Sequence, residues 1–375
     1  MSSESPANPV NVVPDAQPED VLSDDIEKSL QRSVARSEEI EREIAADPST
    51  FRVLTGDRPT GRLHLGHYLG TLANRVRLQD AGVETVLVVA DYQVIMDRDD
   101  AGPLAERVRG LVTDYLAAGI DPERTTIFTH SSVPALNQLV LPFLSMVTDS
   151  ELKRNPTVKA EHEATGGRPM SGLLFTYPVH QAADILFCKA NLVPVGKDQL
   201  PHLEATRVVA RRFNEKYART FPLPEALLSR TANVLGLDGE KMSKSRGNTI
   251  ELGMTADQTA KQFKRAVTDS DRHITYDPIG RPTVANLLQI AAACSGDDPA
   301  RIAAEIGDGG GGGLKAVVTE AVNEHLAPLR ARRLELEADP GYIASVLAAG
   351  NKRANEIADA TLDEVRAAMG MVYGA

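Results

Sequence analysis

The sequence predicts an α/β fold, a doubly wound parallel sheet followed by a C-terminal helical domain. Three observations carry this. From Phe51 short apolar runs alternate with longer amphipathic ones, strand signals fade after Ile250, and the first 48 residues are acidic and rich in Ser and Pro. A length of 375 residues suits two domains and a tail. We divide the chain into an extension (1–48, partly disordered or helical), a sheet domain (49–253) and a helical domain (254–375), whose last helix has the option of packing back on the sheet.

In the extension, residues 24–46 suit one charged helix. Its Ile26, Leu30, Val34, Ile40 and Ile44 form a thin stripe, fit to dock on the body or to stay mobile. Phe51–Thr55 reads as the first strand, and a Gly/Pro loop leads to a helix near His64–Asp80. Then follow a strand at Val83–Ala90, a helix at Leu104–Ala118, a strand at Thr125–Thr129, a helix at Ala135–Val147 and a strand at Leu192–Val195. Such sheets bind ligands beyond the carboxyl ends of their strands, which puts the loops carrying Gly56, Asp91 and Gly196 at one crevice. Beyond Ile250, helices are expected at Thr255–Val267, Val284–Cys294, Lys315–Glu335, Pro340–Leu347 and Asn351–Met369, with Gly309–Gly313 as a flexible break. Gly307, Gly309 and Gly312 match GxGxxG, but Arg301–Ile306 before them reads as helix, and a dinucleotide fingerprint needs a strand there.

Hydrophobic residues at 42% and charged residues at 25% are ordinary globular usage, and no apolar run nears the ~20 residues of a membrane span. Met1-Ser2-Ser3-Glu4 lacks a secretory pattern, and Cys188 and Cys294 have no zinc spacing. The expectation is a cytoplasmic protein with neither a disulfide, a membrane partner nor a DNA partner. A net charge of -11 speaks against nucleic acid at first, but the first 50 residues hold 12 acidic and 4 basic residues, leaving a nearly neutral body. Its basic clusters are Lys153-Arg154 with Lys159, Arg207 with Arg211-Arg212, Lys261 with Lys264-Arg265, and Arg330 with Arg332-Arg333. Any one of them taken alone reads first as a solvated face.

Chemistry concentrates in two segments. Thr55-Gly56-Asp57-Arg58-Pro59-Thr60-Gly61 runs into His64-Leu65-Gly66-His67, joining a strand to a helix. Gly56 and Gly61 allow tight loop geometry, and Gly66 clears space for adenine or ribose. His64 and His67 share a face at the helix start, where imidazole N–H groups and the helix dipole bind phosphate oxygens. A bare pair of histidines would read as a helix cap, and the flanking Gly and Pro pattern argues for the functional reading. Lys241-Met242-Ser243-Lys244-Ser245 lies between Gly239 and Gly247, and its lysines suit a polyphosphate in displacement at an α-phosphate. We read the two segments as halves of one ATP site.

Paired in this order and separation, the segments resemble class I aminoacyl-tRNA synthetases, most closely the tryptophanyl-tRNA synthetase family. The likeness spans residues 51–372 and includes Tyr177-Pro178-Val179-His180-Gln181-Ala182-Ala183-Asp184-Ile185, Val193-Pro194-Val195-Gly196-Lys197-Asp198-Gln199, His202-Leu203-Glu204-Ala205-Thr206-Arg207 and Ala266-Val267-Thr268-Asp269-Ser270. The resemblance implies a Rossmann-like catalytic domain, an anticodon-binding helical domain with Lys261, Lys264, Lys315 and Arg330 among its basic residues, and formation of tryptophanyl-adenylate from L-tryptophan and ATP. It implies transfer to tRNA(Trp), Mg²⁺ carried by ATP with no dedicated protein ligands, and a homodimer with Val133–Arg154 near the interface. Asp184 would accept the indole N–H, Tyr177 and Gln199 would hold the amino group, and Leu54 and Val195 would line the pocket. Gly196 and Asp198 would meet the ribose, and Lys159, Lys241, Ser243 and Lys244 the phosphates. An acceptor-only carboxylate suits a donor-only indole nitrogen.

Departures from the commonest bacterial pattern fall near the substrate, at Arg58, Gln93 and Gln181. They resemble a divergent branch that includes auxiliary copies tolerant of indolmycin. The alternatives are a tyrosyl-tRNA synthetase, which the Val-Pro-Val-Gly-Lys-Asp-Gln segment disfavours, and a noncatalytic paralogue that binds tRNA or senses tryptophan, which the intact ATP motifs disfavour. The absence of Trp from the chain reads most simply as drift of composition.

Overall fold

Runs such as Thr85-Val86-Leu87-Val88-Val89 are buried on both faces, as a parallel sheet covered by helices on both sides requires. The computed structural model describes residues 33–96, 102–164, 169–196, 199–228, 234–243 and 246–374. Its five strands are β1 (Arg52–Asp57), β2 (Glu84–Val89), β3 (Thr125–Thr129), β4 (Leu192–Val195) and β5 (Glu225–Leu228). All are parallel, in the order β3-β2-β1-β4-β5. Strand order reverses between β1 and β4, which opens the ligand crevice at their carboxyl ends. β5 was not expected from the sequence, because Glu225-Ala226-Leu227-Leu228 has no β-branched or aromatic residue to mark it as a strand.

A helix over 33–46, α1, docks under the sheet. Its Ile40 and Ile44 pack with Phe51, Val53, Leu78, Val83, Leu192 and Leu227. Arg36 bonds both oxygens of Glu225 at 2.6 and 2.8 Å, and Ser37 Oγ accepts from the Leu228 N–H, so α1 covers the edge strand. Ile26 and Leu30 of the expected stripe lie outside the described residues, and Val34 is exposed.

The helix after the first loop is interrupted. α2 (Leu65–His67) passes through a π-helical turn at Tyr68–Leu72 into α3 (Ala73–Asp80). α4 (Leu104–Ala117) follows β2. The single helix expected at Ala135–Val147 is two, α5 (Pro134–Gln138) and α6 (Val140–Leu144), because Pro142 has no N–H to give Gln138. α7 (Asp149–Arg154), α8 (Pro156–Ala164), α9 (Gly172–Leu186) and α10 (Leu200–Lys216) complete the sheet's cover.

The remaining helices are α11 (Ala256–Lys264), α12 (Pro282–Ser295), α13 (Pro299–Ile306), α14 (Gly310–Glu337) and α15 (Pro340–Ala368). Two expectations are corrected. The glycine run is no break at Gly310–Gly313, since α14 begins at Gly310. Leu314, Val318, Val322 and Leu326, all fully buried, anchor its first half. The two helices expected after Pro340 are one, since Gly350 continues α15 and presses its backbone against the Ile127 carbonyl of β3, where a Cβ would not fit. One core joins α2, the π turn and α4 to α12, α13 and α14, and a second lies on the β3, α9 and α15 side. Among the described residues no helix is long and apolar enough to cross a membrane.

Candidate active site

The two chemical segments meet through their backbones. The Leu65 N–H donates to the Ile250 carbonyl at 2.8 Å and the Leu252 N–H to the Leu63 carbonyl at 3.0 Å. The strand-like stretch after the lysine segment is thus bonded to the turn that carries the histidines. Side chains close the remaining gap, since a Cβ on Gly66 would stand 3.0 Å from Met242 Sδ and 3.2 Å from the His64 ring. Gly66 therefore leaves room for the close approach of Met242 and the His64 ring. The lysine loop is shaped by Asn248, whose Oδ1 accepts from the Ser243 N–H at 2.8 Å and whose Nδ2 donates to Asp238 and to the Lys241 carbonyl. Lys241 is exposed beside it.

His64 precedes the first turn of α2 in extended backbone and is buried. Its N–H donates to His67 Nδ1 at 3.3 Å, and the two ring centroids are 3.6 Å apart. The two rings pack as one unit. Behind it, Asp57 at the end of β1 bonds Arg75 at 2.5 Å and accepts from the Tyr115 hydroxyl at 2.6 Å. Burial pushes the Asp57 carboxyl up, but Arg75 and the Tyr115 hydroxyl outweigh it and hold the group below the usual carboxylate range. The expectation for Gly56 is corrected. It lies within β1 opposite Val88, not in a loop, and a Cβ there would fall on the Val88 carbonyl. Arg58 stands 3.9 Å from Glu161, and Lys159 is exposed on α8. Gly196 follows β4, while Asp198 and Lys244 lie outside the described residues.

Around the residue expected to meet the indole lies a cluster of buried polar side chains. Asp184, on α9, is 3% exposed. Its Oδ2 accepts from Gln93 Nε2 at 3.4 Å, and its Oδ1 lies 2.9 Å from His130 Nε2 and 4.0 Å from His180 Nε2. Burial raises the Asp184 carboxyl, yet His130 and His180 outweigh it and leave the group below its ordinary value. Burial lowers both imidazoles. For His130 the attraction of Asp184 wins and the net direction is up, whereas His180 stays down. Tyr177 is buried with its hydroxyl 3.4 Å from His202 Nε2, and burial pushes its phenol up to about 12. Leu54 and Val195 belong to the apolar cluster around this end of the sheet, Gln181 is half-buried on α9, and the Gln199 N–H bonds the Gly196 carbonyl.

His130 and His180 are residues that motif spacing does not single out. A signal existed, since His130 directly follows a strand at its carboxyl end, where the fold gathers ligands. His130, His180 and Asp184 also bring ligand atoms within 4.8 Å of one another, but His180 Nε2 is committed to Asn137 Oδ1 at 3.0 Å, so we read a charge-paired cluster here, in which His130 Nε2 and Asp184 Oδ1 lie close without hydrogen-bond geometry. In the helical domain Arg330 bonds Thr259 and Asn323, which removes it from the exposed basic face left by Lys261, Lys264 and Arg265.

A parallel sheet whose strand order reverses between β1 and β4, with a paired-histidine helix start bonded to the stretch after the lysine segment and a helical C-terminal region, defines a Rossmann-like α/β fold. A family model described as tRNA synthetases class I (W and Y) matches residues 47–327, and the chain belongs to that family. It is 42% identical over 333 residues to the tryptophan–tRNA ligase of Treponema pallidum (strain Nichols), covering 86% of this chain and 97% of that one. It is 39% identical to that of Thermotoga maritima, covering 86% of this chain and 100% of the relative. A solved tryptophanyl-tRNA synthetase from Campylobacter jejuni, complexed with ADP and tryptophane, superposes with a TM-score of 0.73 at 30% identity over 85% of this chain and 99% of that chain. A tyrosyl-tRNA synthetase from Archaeoglobus fulgidus, at 23% identity and a TM-score of 0.62, shares the fold.

Proposed function

We propose that this chain activates L-tryptophan with ATP and transfers it to tRNA(Trp). The observation that carries the reading is the junction of Gly66 with Met242, which brings the helix start that carries the histidine pair against the lysine segment. The tryptophan carboxylate oxygen attacks the α-phosphorus. A new O–P bond forms as the bond to the bridging oxygen breaks, and pyrophosphate leaves. A terminal ribose hydroxyl of tRNA then attacks the acyl carbon, its proton is lost and AMP departs. No protein side chain is joined covalently, so positioning and charge stabilisation supply the rate.

In this reading His64 and His67 bind phosphate oxygens, and Lys241, with Lys244, Ser243 and Lys159, meets the charge that grows on pyrophosphate. Mg²⁺ arriving with ATP would add Lewis-acid neutralisation there. The apolar residues around Leu54 and Val195 suit an indole, and Asp184 its N–H, while Tyr177 and Gln199 would hold the amino group. Gly56, Arg58, Gly196 and Asp198 complete the nucleotide side, and Gln93 and Gln181 the amino-acid side. The exposed Lys261 and Lys264 favour the helical domain as the anticodon reader. Leu141, 73% exposed within Val133–Arg154, fits a subunit interface, and sedimentation as a monomer would oppose a homodimer. A cytoplasmic setting fits this substrate set.

Pyrophosphate exchange with Mg²⁺ is the test. Exchange dependent on tryptophan supports the reading, exchange dependent on tyrosine replaces it, and none with either amino acid overturns catalysis.

A further inference from the structure

His130 has no place in the mechanism above, yet it is fully buried and stands 2.9 Å from the carboxylate assigned to the indole. Its surroundings hold it there. Asp91, at the end of β2, accepts from the Ser131 N–H at 3.1 Å and from the Ser131 hydroxyl, which pins the backbone next to His130. Asn137 Nδ2 donates to the His130 carbonyl at 2.9 Å and to the Val133 carbonyl at 3.0 Å. Both amide hydrogens are then used, so Asn137 Oδ1 is an acceptor and His180 Nε2, 3.0 Å away, carries a proton as its donor.

This settles which neighbour serves Asp184. His180 is turned to Asn137 and lies 4.0 Å from the carboxylate, and Gln93 reaches only the other oxygen. His130 is left as the close partner of Oδ1, with Tyr92 stacked on it at 6.5 Å between ring centroids. We propose that His130 is a positioning residue for amino-acid selection, aiming the Asp184 carboxylate at the ring N–H of the substrate. The proposal rests on Asp184 being the indole acceptor. A buried carboxylate paired with His130 on one oxygen and bonded by Gln93 on the other cannot swing to solvent, so a substrate lacking the N–H leaves it short of a donor. Selectivity for the N–H is therefore built two shells deep, from Asp91 and Asn137 through His130 to Asp184.

The test compares tryptophan-dependent pyrophosphate exchange with exchange driven by the tryptophan isostere in which sulfur replaces the ring N–H. His130→Leu should raise the KM for tryptophan about tenfold or more, leave the KM for ATP unchanged, and lower the preference for tryptophan over the sulfur isostere by a similar factor. His130→Gln, which retains a donor, should recover part of that preference, and it also serves if the leucine variant fails to fold. In an Asp184→Asn background the leucine change should no longer alter the preference. An active wild-type enzyme whose His130 variants lose kcat equally for both amino acids, with the preference intact, overturns the positioning role alone. A wild type without tryptophan-dependent exchange overturns the functional reading beneath it.

Discussion

Arg333 Nε lies 2.7 Å from Asp114 Oδ1, and the other oxygen of Asp114 accepts from the Leu63 N–H at 3.1 Å. One buried carboxylate thereby ties α14 of the helical domain to the turn that presents His64. Burial keeps the Asp114 carboxyl raised despite Arg333, so the pair contributes anchoring more than net stability. Replacing Arg333 with Met should strand Asp114 and destabilise the protein by roughly 3–5 kcal/mol. Urea unfolding reads this loss. A raised KM for ATP in pyrophosphate exchange would accompany it, because the Leu63 turn loses its fixed acceptor.

Gly66→Ala should act locally. The added methyl meets Met242 Sδ and the His64 ring at 3.0 and 3.2 Å, so both must move by a few tenths of an ångström. We expect kcat/KM for ATP to fall about tenfold with little change in the unfolding midpoint. The same change made in a Met242→Ala background should cost less, and additivity in that double-mutant cycle would show that the contact is unimportant.

Acid should weaken the β1 end of the crevice. Asp57 is more acidic folded than unfolded, so the unfolded chain takes up its proton first. Its contribution is complete above the unfolded value of about 4 and is lost as pH falls through the lower folded value. Denaturation midpoints measured from neutral pH downward should drop below that point. In Asp57→Asn the slope should be shallower from a lower plateau, since Arg75 is left buried without its anion.

Thiol chemistry should be slow in the native state. Burial pushes the thiols of Cys188 and Cys294 up to about 12 each. At pH 8 roughly one thiol in ten thousand is then thiolate, so alkylation should follow the unfolding rate. Rapid native modification of either cysteine, read by mass spectrometry, would contradict this.

Local pattern and spacing carried much of this molecule. Thr125–Thr129 and Leu192–Val195 are strands at the residues expected, and the family is legible in the two short motifs and in the Tyr177–Ile185 segment. These are features written in adjacent residues. What the sequence could not disclose was which distant groups touch. Gly56 reads as a loop glycine until Val88 lies across from it, Arg330 reads as a surface cation until Thr259 and Asn323 claim it, and the Gly310–Gly313 stretch reads as a break until buried leucines and valines carry a helix through it.

The same division holds at the crevice. Sequence by itself determined that His64, His67 and Lys241 are the groups to look for, since phosphate chemistry suits those residue types in those segments, and it named Asp184 through the family resemblance. Only the tertiary structure decided that Met242 closes on Gly66, that Asp114 binds the histidine turn to α14, and that His130 stands at Asp184. Each of these depends on chain crossings 50 or more residues apart, set by packing of the two cores, and a one-dimensional pattern has no term for such a distance.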